Sequence, residues 1–168
     1  MRLFSVTISF DSMKSVYIIL NNLRSVYNTG AIFRTADSIG ADKIFLFGTT
    51  PTPIDRFGRP RRDFAKSALG AELSVPWEYV KNLSAAIKSL QAEGFQVIAV
   101  EQAEKSIDYK KIRPKKKVAI VFGNEVEGIP KELLKQVDTV VEIPMRGKKE
   151  SLNVSVAAGI VLFRLFDY

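Results

Sequence analysis

The 168-residue sequence contains no cysteine and no histidine. These absences exclude disulfide bonds, thiolate nucleophiles, zinc sites with the usual ligands, and any serine–histidine–aspartate relay. Chemistry in this chain must therefore depend on arginine, lysine, carboxylate, amide and hydroxyl groups. We expect no bound metal.

Long hydrophobic runs are also missing. No apolar segment approaches the roughly 18 residues that a membrane span needs. The N-terminal stretch MRLFSVTISFDSMK lacks the long apolar core and small-residue cleavage site of a signal peptide. We therefore expect a cytoplasmic protein with no membrane partner.

The composition is that of a basic globular protein, with a net charge of +7 and 46% hydrophobic residues. The length suits one domain with a sizeable core, and no repeat or low-complexity segment divides residues 1–168. The charge favours an anionic partner, and nucleic acid is a better candidate than an acidic protein. Many basic proteins, however, are charged only for solubility, so charge alone is weak evidence.

The first half of the chain alternates between strand and helix patterns. Residues 15–22 form a β-branched apolar run, residues 28–40 show helical spacing that stops at Gly40, and residues 42–48 form a second buried run. Strand, helix and strand in this order predict a parallel sheet with helices on its faces, an α/β fold. Residues 49–62 are rich in proline and arginine and are predicted to form a loop.

The second half continues the alternation. We predict helices over 82–94, 129–136 and 151–166, and strands over 95–101, 118–123 and 139–144. The last helix is apolar nearly all round, which predicts burial, with one side against a second copy of the protein. Burial within a single copy is the alternative. Asn153, near the start of this helix, is a polar exception in the apolar run.

Polar residues cluster in three stretches. Asn28 and Arg34 follow the first strand, where ligands bind in open parallel sheets, and Arg34 lies about one and two-thirds turns beyond Asn28. Asn28 could simply cap the helix, and Arg34 could be a solvated surface residue. The second stretch, VAIVFGNEVEGIP, places Glu125 after a buried strand but is neither a Walker loop nor a dinucleotide fingerprint.

The third stretch is IPMRGKKESLNVSVAAG. With NLRSVYNTGAIFRTADSIG and VAIVFGNEVEGIP it closely resembles, in order, the three motifs of SpoU-type (TrmH-like) RNA 2'-O-ribose methyltransferases of the SPOUT superfamily. The resemblance implies a parallel-sheet α/β domain with a C-terminal deep trefoil knot, S-adenosylmethionine as the methyl donor, and a homodimer. Many relatives carry an additional N-terminal RNA-binding domain, which we do not expect here.

The resemblance also assigns site residues by motif position. The cofactor would contact Gly123, Ile143, Met145 and Leu152. The family's catalytic arginine falls on Arg34, and its supporting polar residues are Asn28, Glu125, Ser151 and Asn153.

Arg34 is a poor proton acceptor, because a guanidinium is essentially never deprotonated in a protein. We expect Arg34 to orient and stabilise the developing alkoxide, with the proton acceptor left open. Glu125 could accept that proton, or hold Arg34 or the donor in place. Asn153, at the buried start of the last helix, could bind the ribose, fix Asn28 and Glu125, or cap the helix beside Ser151.

Contact with tRNA or rRNA is expected from basic loops through phosphate groups, with a solvated surface as the alternative. The candidate residues are Arg24, Arg56, Arg59, Arg61, Arg62, Lys66 and the run Lys115, Lys116 and Lys117, with Phe57 as a base-stacking residue. Two rival functions remain open. One is a SPOUT enzyme that methylates a base nitrogen, and the other is a catalytically silent RNA-binding protein of the same fold.

Overall fold

A computed structural model describes residues 15–166, so the N-terminal stretch discussed above lies outside the described residues. One sheet of seven parallel strands runs through it in the order β3-β2-β1-β6-β4-β7-β5. The strands are β1 (Ser15–Asn21), β2 (Lys43–Phe47), β3 (Trp77–Val80), β4 (Gln96–Val100), β5 (Ile107–Asp108), β6 (Lys117–Phe122) and β7 (Thr139–Glu142). The predicted α/β fold with a parallel sheet is confirmed.

Helices cover both faces of this sheet. They are α1 (Val26–Ser38), α2 (Arg62–Ala68), α3 (Ala71–Ser74), α4 (Leu83–Ala92), α5 (Lys131–Leu134) and α6 (Val154–Leu165), with a 3₁₀ turn at Tyr109–Lys111. The core under α1, α2 and α6 includes Ile18, Leu20 and Ile120, and the core under α4 includes Ile19 and Val121. Because both faces are covered, the central strands are continuous apolar runs rather than alternating ones.

The predicted strands and helices are present, although several begin or end elsewhere, and the elements over 62–80 and 107–108 were missed. The strand Trp77–Val80 lies at an edge of the sheet and has no buried residue, so it lacks the apolar run by which the other strands were identified. Among the helices of residues 15–166, none is both long and apolar enough to cross a membrane.

The start of α1 corrects one prediction. Ser25, not Asn28, is the N-cap, because the Ser25 hydroxyl oxygen accepts the backbone N–H of Asn28 at 3.2 Å. Asn28 lies within the first turn of the helix, so its side chain is free of capping and available for other contacts.

The last helix corrects two more. It begins at Val154 rather than at 151, and residues 151–153 are exposed, so Asn153 is not buried. Its side chain caps α6 by accepting the backbone N–H of Ser155 at 2.9 Å, a role that keeps it outside the helix. Val156, Ile160 and Phe163 are 49%, 37% and 39% exposed, so the alternative of burial within a single copy is excluded.

Candidate active site

A cavity of about 330 Å³ opens at the carboxyl ends of β4, β6 and β7. Its walls come from segments that leave these three strands: residues 100–102, 122–128, 142–145 and 150–157. Ligands of open parallel sheets bind at this edge, and the size lies in the range of small-molecule sites. The four residues that the family resemblance assigns to the cofactor, Gly123, Ile143, Met145 and Leu152, all line it.

Two glycines shape the wall between β6 and α5. A Cβ on Gly123 would lie 2.7 Å from the carbonyl carbon of Gly128 and 2.8 Å from the backbone nitrogen of Ile129. Gly128 itself has a φ of +66°, and a Cβ there would collide with the Glu101 carboxylate. Larger residues at either position would therefore push this loop out of place.

Asn124 and Glu101 hold the same loop from inside, and neither residue was predicted from the sequence. The buried Asn124 donates from Nδ2 to the carbonyl oxygen of Asn22 at 2.8 Å, while its Oδ1 accepts the backbone N–H of Val126 at 2.7 Å. Glu101 Oε2 accepts the backbone N–H of Ile129 at 2.7 Å. The position of Asn124 between Gly123 and Glu125 in the second motif was the available signal.

Three of the predicted catalytic residues form one hydrogen-bonded chain at the rim of the cavity. Asn28 donates from Nδ2 to Glu125 Oε1 at 2.8 Å, and Asn153 donates from Nδ2 to Asn28 Oδ1 at 3.1 Å. Asn153 Oδ1 in turn accepts both the N–H and the hydroxyl of Ser155. These hydrogen bonds therefore fix the orientation of the Asn28 amide. They leave the second carboxylate oxygen of Glu125 without a partner among the described residues.

The other two predicted catalytic residues, Ser151 and Arg34, differ in their position relative to the cavity. Ser151 lines the cavity, two residues before Asn153. Arg34 does not line it, and its guanidinium makes no hydrogen bond to a described residue. Six helical residues rotate the chain by about 240° beyond a full turn, so Arg34 lies on a different face of α1 from Asn28, and the shared crevice that we predicted is not formed within one copy.

The cavity is acidic, although the protein as a whole is basic. Among the described residues, its lining contains no lysine or arginine and five glutamates, namely Glu101, Glu125, Glu127, Glu142 and Glu150. One predicted RNA-binding residue reaches this rim, because Arg24 Nη2 lies 3.2 Å from Glu127 Oε1. Both side chains are more than half exposed, so the pair adds little stability.

Residues 49–62, which we call the arginine loop, follow β2 and fold around Asp55. The Asp55 carboxylate accepts the backbone N–H groups of Phe57 and Arg59 and pairs with the Arg59 guanidinium at 2.8 Å. The backbone hydrogen bond from Arg59 is the main reason that the pKa of Asp55 lies below its usual value. Phe57 is 65% exposed, with the guanidinium carbons of Arg56 and Arg59 at 4.7 and 5.0 Å from its ring centre.

The other predicted RNA-binding residues differ in their ion pairs and in their positions. Arg61 forms a bidentate pair with Asp63, and its hydrogen bonds lower the pKa of Asp63 and raise that of Arg61. Arg56 and Arg62 have no ion pair with a residue of the described range. Lys115, Lys116 and Lys117 lie at the amino end of β6, so they are at the edge of the sheet opposite the cavity.

Comparison with known proteins agrees with this geometry. The model of the SpoU rRNA Methylase family matches residues 15–163. A Staphylococcus saprophyticus protein assigned to the TrmH family of tRNA/rRNA methyltransferases is 33% identical over 152 residues, which are 90% of this chain and 58% of that protein.

Solved structures with the same fold include an AdoMet-bound rRNA methyltransferase from Sinorhizobium meliloti, with a TM-score of 0.81 and 34% identity. That alignment covers 90% of this chain and 55% of the other. An RNA 2'-O ribose methyltransferase aligns with a TM-score of 0.78 and 25% identity over 93% of this chain and 57% of its own.

This chain thus spans little more than half the length of these relatives. The family match nevertheless extends from β1 to α6 and includes all three motifs and the whole lining of the cavity. The resemblance seen in the sequence is confirmed, and the chain belongs to the SpoU family of RNA methylases.

Proposed function

We propose that this chain transfers the methyl group of S-adenosylmethionine to the ribose 2'-hydroxyl of a tRNA or rRNA nucleotide. The observation that carries the proposal is the Glu125–Asn28–Asn153 hydrogen-bonded chain at the rim of the cavity. A weakly acidic hydroxyl needs a positioned proton acceptor beside the methyl donor, and this arrangement presents a held carboxylate at the cavity mouth.

The cavity suits this donor on three counts. Ile143, Met145 and Leu152 provide apolar side chains for a nucleoside, and Gly123 leaves backbone within reach of a ligand. The glutamates of the lining complement a cation. When bound, the donor supplies a methyl group activated by its sulfonium charge.

Glu125 is the residue that we propose as proton acceptor. Its Oε1 is occupied by Asn28, which fixes the carboxylate, while Oε2 has no hydrogen-bond partner among the described residues. Asn153 orients Asn28 and is itself fixed by its capping of α6. Arg34 can stabilise the negative charge that develops on the ribose oxygen, because its guanidinium stays positively charged throughout the reaction.

We propose that the protein is a homodimer and that Arg34 serves the cavity of the second copy. Val156, Ile160 and Phe163 recur at helical spacing on α6, so one face of this helix exposes an apolar stripe. The helix packs against α1, which exposes Tyr27 and Arg34 on its own outer face. A dimer through these helices would bury the stripe and bring Arg34 toward a cavity other than its own.

We also propose the deep trefoil knot and a single functional domain. Family membership supports the knot, and so does the path of the chain, which crosses from β7 back to pack α6 against α1. The single domain is supported by the one sheet that contributes to both cores.

RNA contact is proposed for the arginine loop and Arg24. Both follow carboxyl ends of strands, as the cavity does, and Phe57 adds an exposed ring for stacking. The lysine run does not share this edge, so we propose the arginine side as the RNA surface.

The test is methyl transfer by the purified protein from labelled S-adenosylmethionine to RNA from cells that lack the gene, followed by nucleoside mass spectrometry. A 2'-O-methylnucleoside that is lost with Glu125→Gln and Arg34→Ala is the expected product. A methylated base would instead identify the nitrogen-methylating alternative. Donor binding to neither the protein nor a protein–RNA complex would leave the silent RNA-binding alternative.

A further inference from the structure

The acidic lining distinguishes this cavity from the rest of the molecule. The chain has a net charge of +7, yet every charged residue that residues 15–166 contribute to the cavity lining is a glutamate. Glutamate side chains carry negative charge at neutral pH. A cavity with low-dielectric walls and charges of one sign concentrates ligands of the opposite sign.

Three of these five glutamates already have structural partners. Glu101 accepts two backbone N–H groups, from Gln102 at 2.9 Å and from Ile129 at 2.7 Å. The other two of the three are Glu125, which accepts from Asn28, and Glu127, which pairs with Arg24. These hydrogen bonds and this ion pair therefore compensate part of the negative charge of the three glutamates within the protein.

Glu142 and Glu150 differ from these three. Neither carboxylate has a hydrogen bond or an ion pair with a residue in the described part of the chain. The basic residues of the neighbouring loop, Arg146, Lys148 and Lys149, are exposed and do not line the cavity. Glu142 is half-buried and Glu150 is exposed, so solvent reaches both carboxylates, and neither has a counter-charge in the described part of the chain.

The charge of the ligand changes during the reaction proposed above. S-adenosylmethionine carries a sulfonium, an ammonium and a carboxylate and so has a net charge of +1. Methyl transfer moves the CH₃ to the ribose oxygen, whose proton passes to Glu125 in the proposed mechanism. The sulfur regains its bonding pair, and neutral S-adenosylhomocysteine remains. The acidic walls therefore attract the donor more strongly than its product.

We propose that Glu142 and Glu150 are specificity-determining residues that make the cavity favour the charged donor over the demethylated product by electrostatics. This inference rests on the proposed function. The two carboxylates attract the positively charged donor. Once the sulfonium charge is gone, this attraction is lost, and the product is bound more weakly than the donor.

The experiment is calorimetric titration of the whole protein with S-adenosylmethionine and, separately, S-adenosylhomocysteine. Glu142→Gln and Glu150→Gln should each lower the ratio of donor affinity to product affinity by about threefold to tenfold, as expected for removal of one unit charge several ångströms from another. Product affinity should change by less than about twofold in the same variants.

Glu93→Gln is the matched control. Glu93 is exposed at the end of α4, near the amino end of β4 and thus at the opposite edge of the sheet from the cavity. Glutamine can still accept the hydrogen bond that Ser89 donates there. This variant should leave the ratio unchanged.

A second measurement does not depend on any variant. Added salt should weaken binding of the donor to the native protein and leave binding of the product nearly constant, because salt screens only the charge-dependent part. Equal changes for both ligands, or an unchanged ratio in the two glutamine variants, would overturn the inference while leaving the proposed function intact. If neither the native protein nor its complex with RNA bound either ligand, the proposed function would fail, and the inference with it.

Discussion

Asn153 and Asn28 are 125 positions apart in the chain, yet their side-chain amides are joined by a hydrogen bond of 3.1 Å. The bond connects the start of α6 to the first turn of α1. Since Asn153 is also the N-cap of α6, the orientation of one helix end and the orientation of a site amide depend on the same side chain.

Replacement of Asn153 by serine should separate these two roles. Serine is a good N-cap, so the free energy of unfolding should change by less than about 0.5 kcal/mol. The shorter side chain cannot donate to Asn28, so methyl transfer should fall at least about tenfold. Denaturant unfolding and single-turnover methylation measure the two effects.

Asn82→Ala is the control for capping alone. Asn82 caps α4 by accepting the backbone N–H of Ala85 at 3.0 Å. Its loss should cost about 1 kcal/mol of stability and leave methyl transfer near the native rate at a temperature where the protein stays folded. Native activity in Asn153→Ser would contradict the role of the amide chain.

Mixed dimers test whether Arg34 acts across the interface. Arg34→Ala and Glu125→Ala should each be inactive alone. Co-expression of the two variants yields mixed dimers as about half of all dimers. If Arg34 acts on the cavity of the other copy, each mixed dimer has one cavity in which both Arg34 and Glu125 are intact. We expect recovery of about a quarter of native activity. No recovery in verified mixed dimers would show that both residues act within one chain.

The closely packed backbone at Gly123 predicts a large effect of one methyl group. Gly123→Ala would force the Gly128 and Ile129 backbone to move, and donor affinity should fall by about tenfold or more. Gly147→Ala is the matched control, because a Cβ at Gly147 meets no atom of residues 15–166 within 4 Å. Calorimetric titration with S-adenosylmethionine compares them, and equal affinities would mean that the loop does not shape the donor site.

The apolar stripe of α6 predicts the effect of a charge on assembly. Ile160→Lys should shift the protein to monomers in sedimentation equilibrium at micromolar concentration, because a buried unpaired charge opposes association. Ile107→Lys provides a comparison at another exposed apolar residue, 42% exposed on the edge strand β5, and should remain dimeric. A monomeric native protein would contradict the dimer itself.

The arginine loop and the lysine run predict different responses of RNA binding to mutation. Arg56→Ala and Arg62→Ala should each weaken binding at low salt and reduce the slope of log affinity against log salt by about one. Lys115→Ala and Lys116→Ala, at the opposite edge of the sheet, should change neither. The reverse pattern in filter-binding titrations would place the RNA on the other edge.

The sequence was sufficient for the fold class and for much of the site. Long apolar runs such as residues 118–122 are needed wherever helices cover both faces of a sheet, so the central strands are easily recognised. The family resemblance assigned Asn28, Glu125 and Asn153 to one site, and the structure joins their side chains by hydrogen bonds.

The features that the sequence did not predict depend on contacts that form only in the folded structure. Ser25 and Asn28 are both suitable N-caps, and only the backbone path decides between them. The missed strand Trp77–Val80 is stabilised by pairing with β2 rather than by its own apolar pattern. Arg34 was expected near Asn28 from their spacing, but the helix turns it to another face, as its exposure shows.

The cavity wall formed by residues 150–157 links ligand binding to folding. Ser151, Leu152, Val154 and Ala157 follow every strand of the sheet in the chain, so a sheet that forms before α6 docks leaves the cavity without this wall. Donor binding therefore becomes available only as α6 docks. From that moment the ligand adds its binding free energy to the folded state, so that cellular donor levels would favour chains that have finished folding.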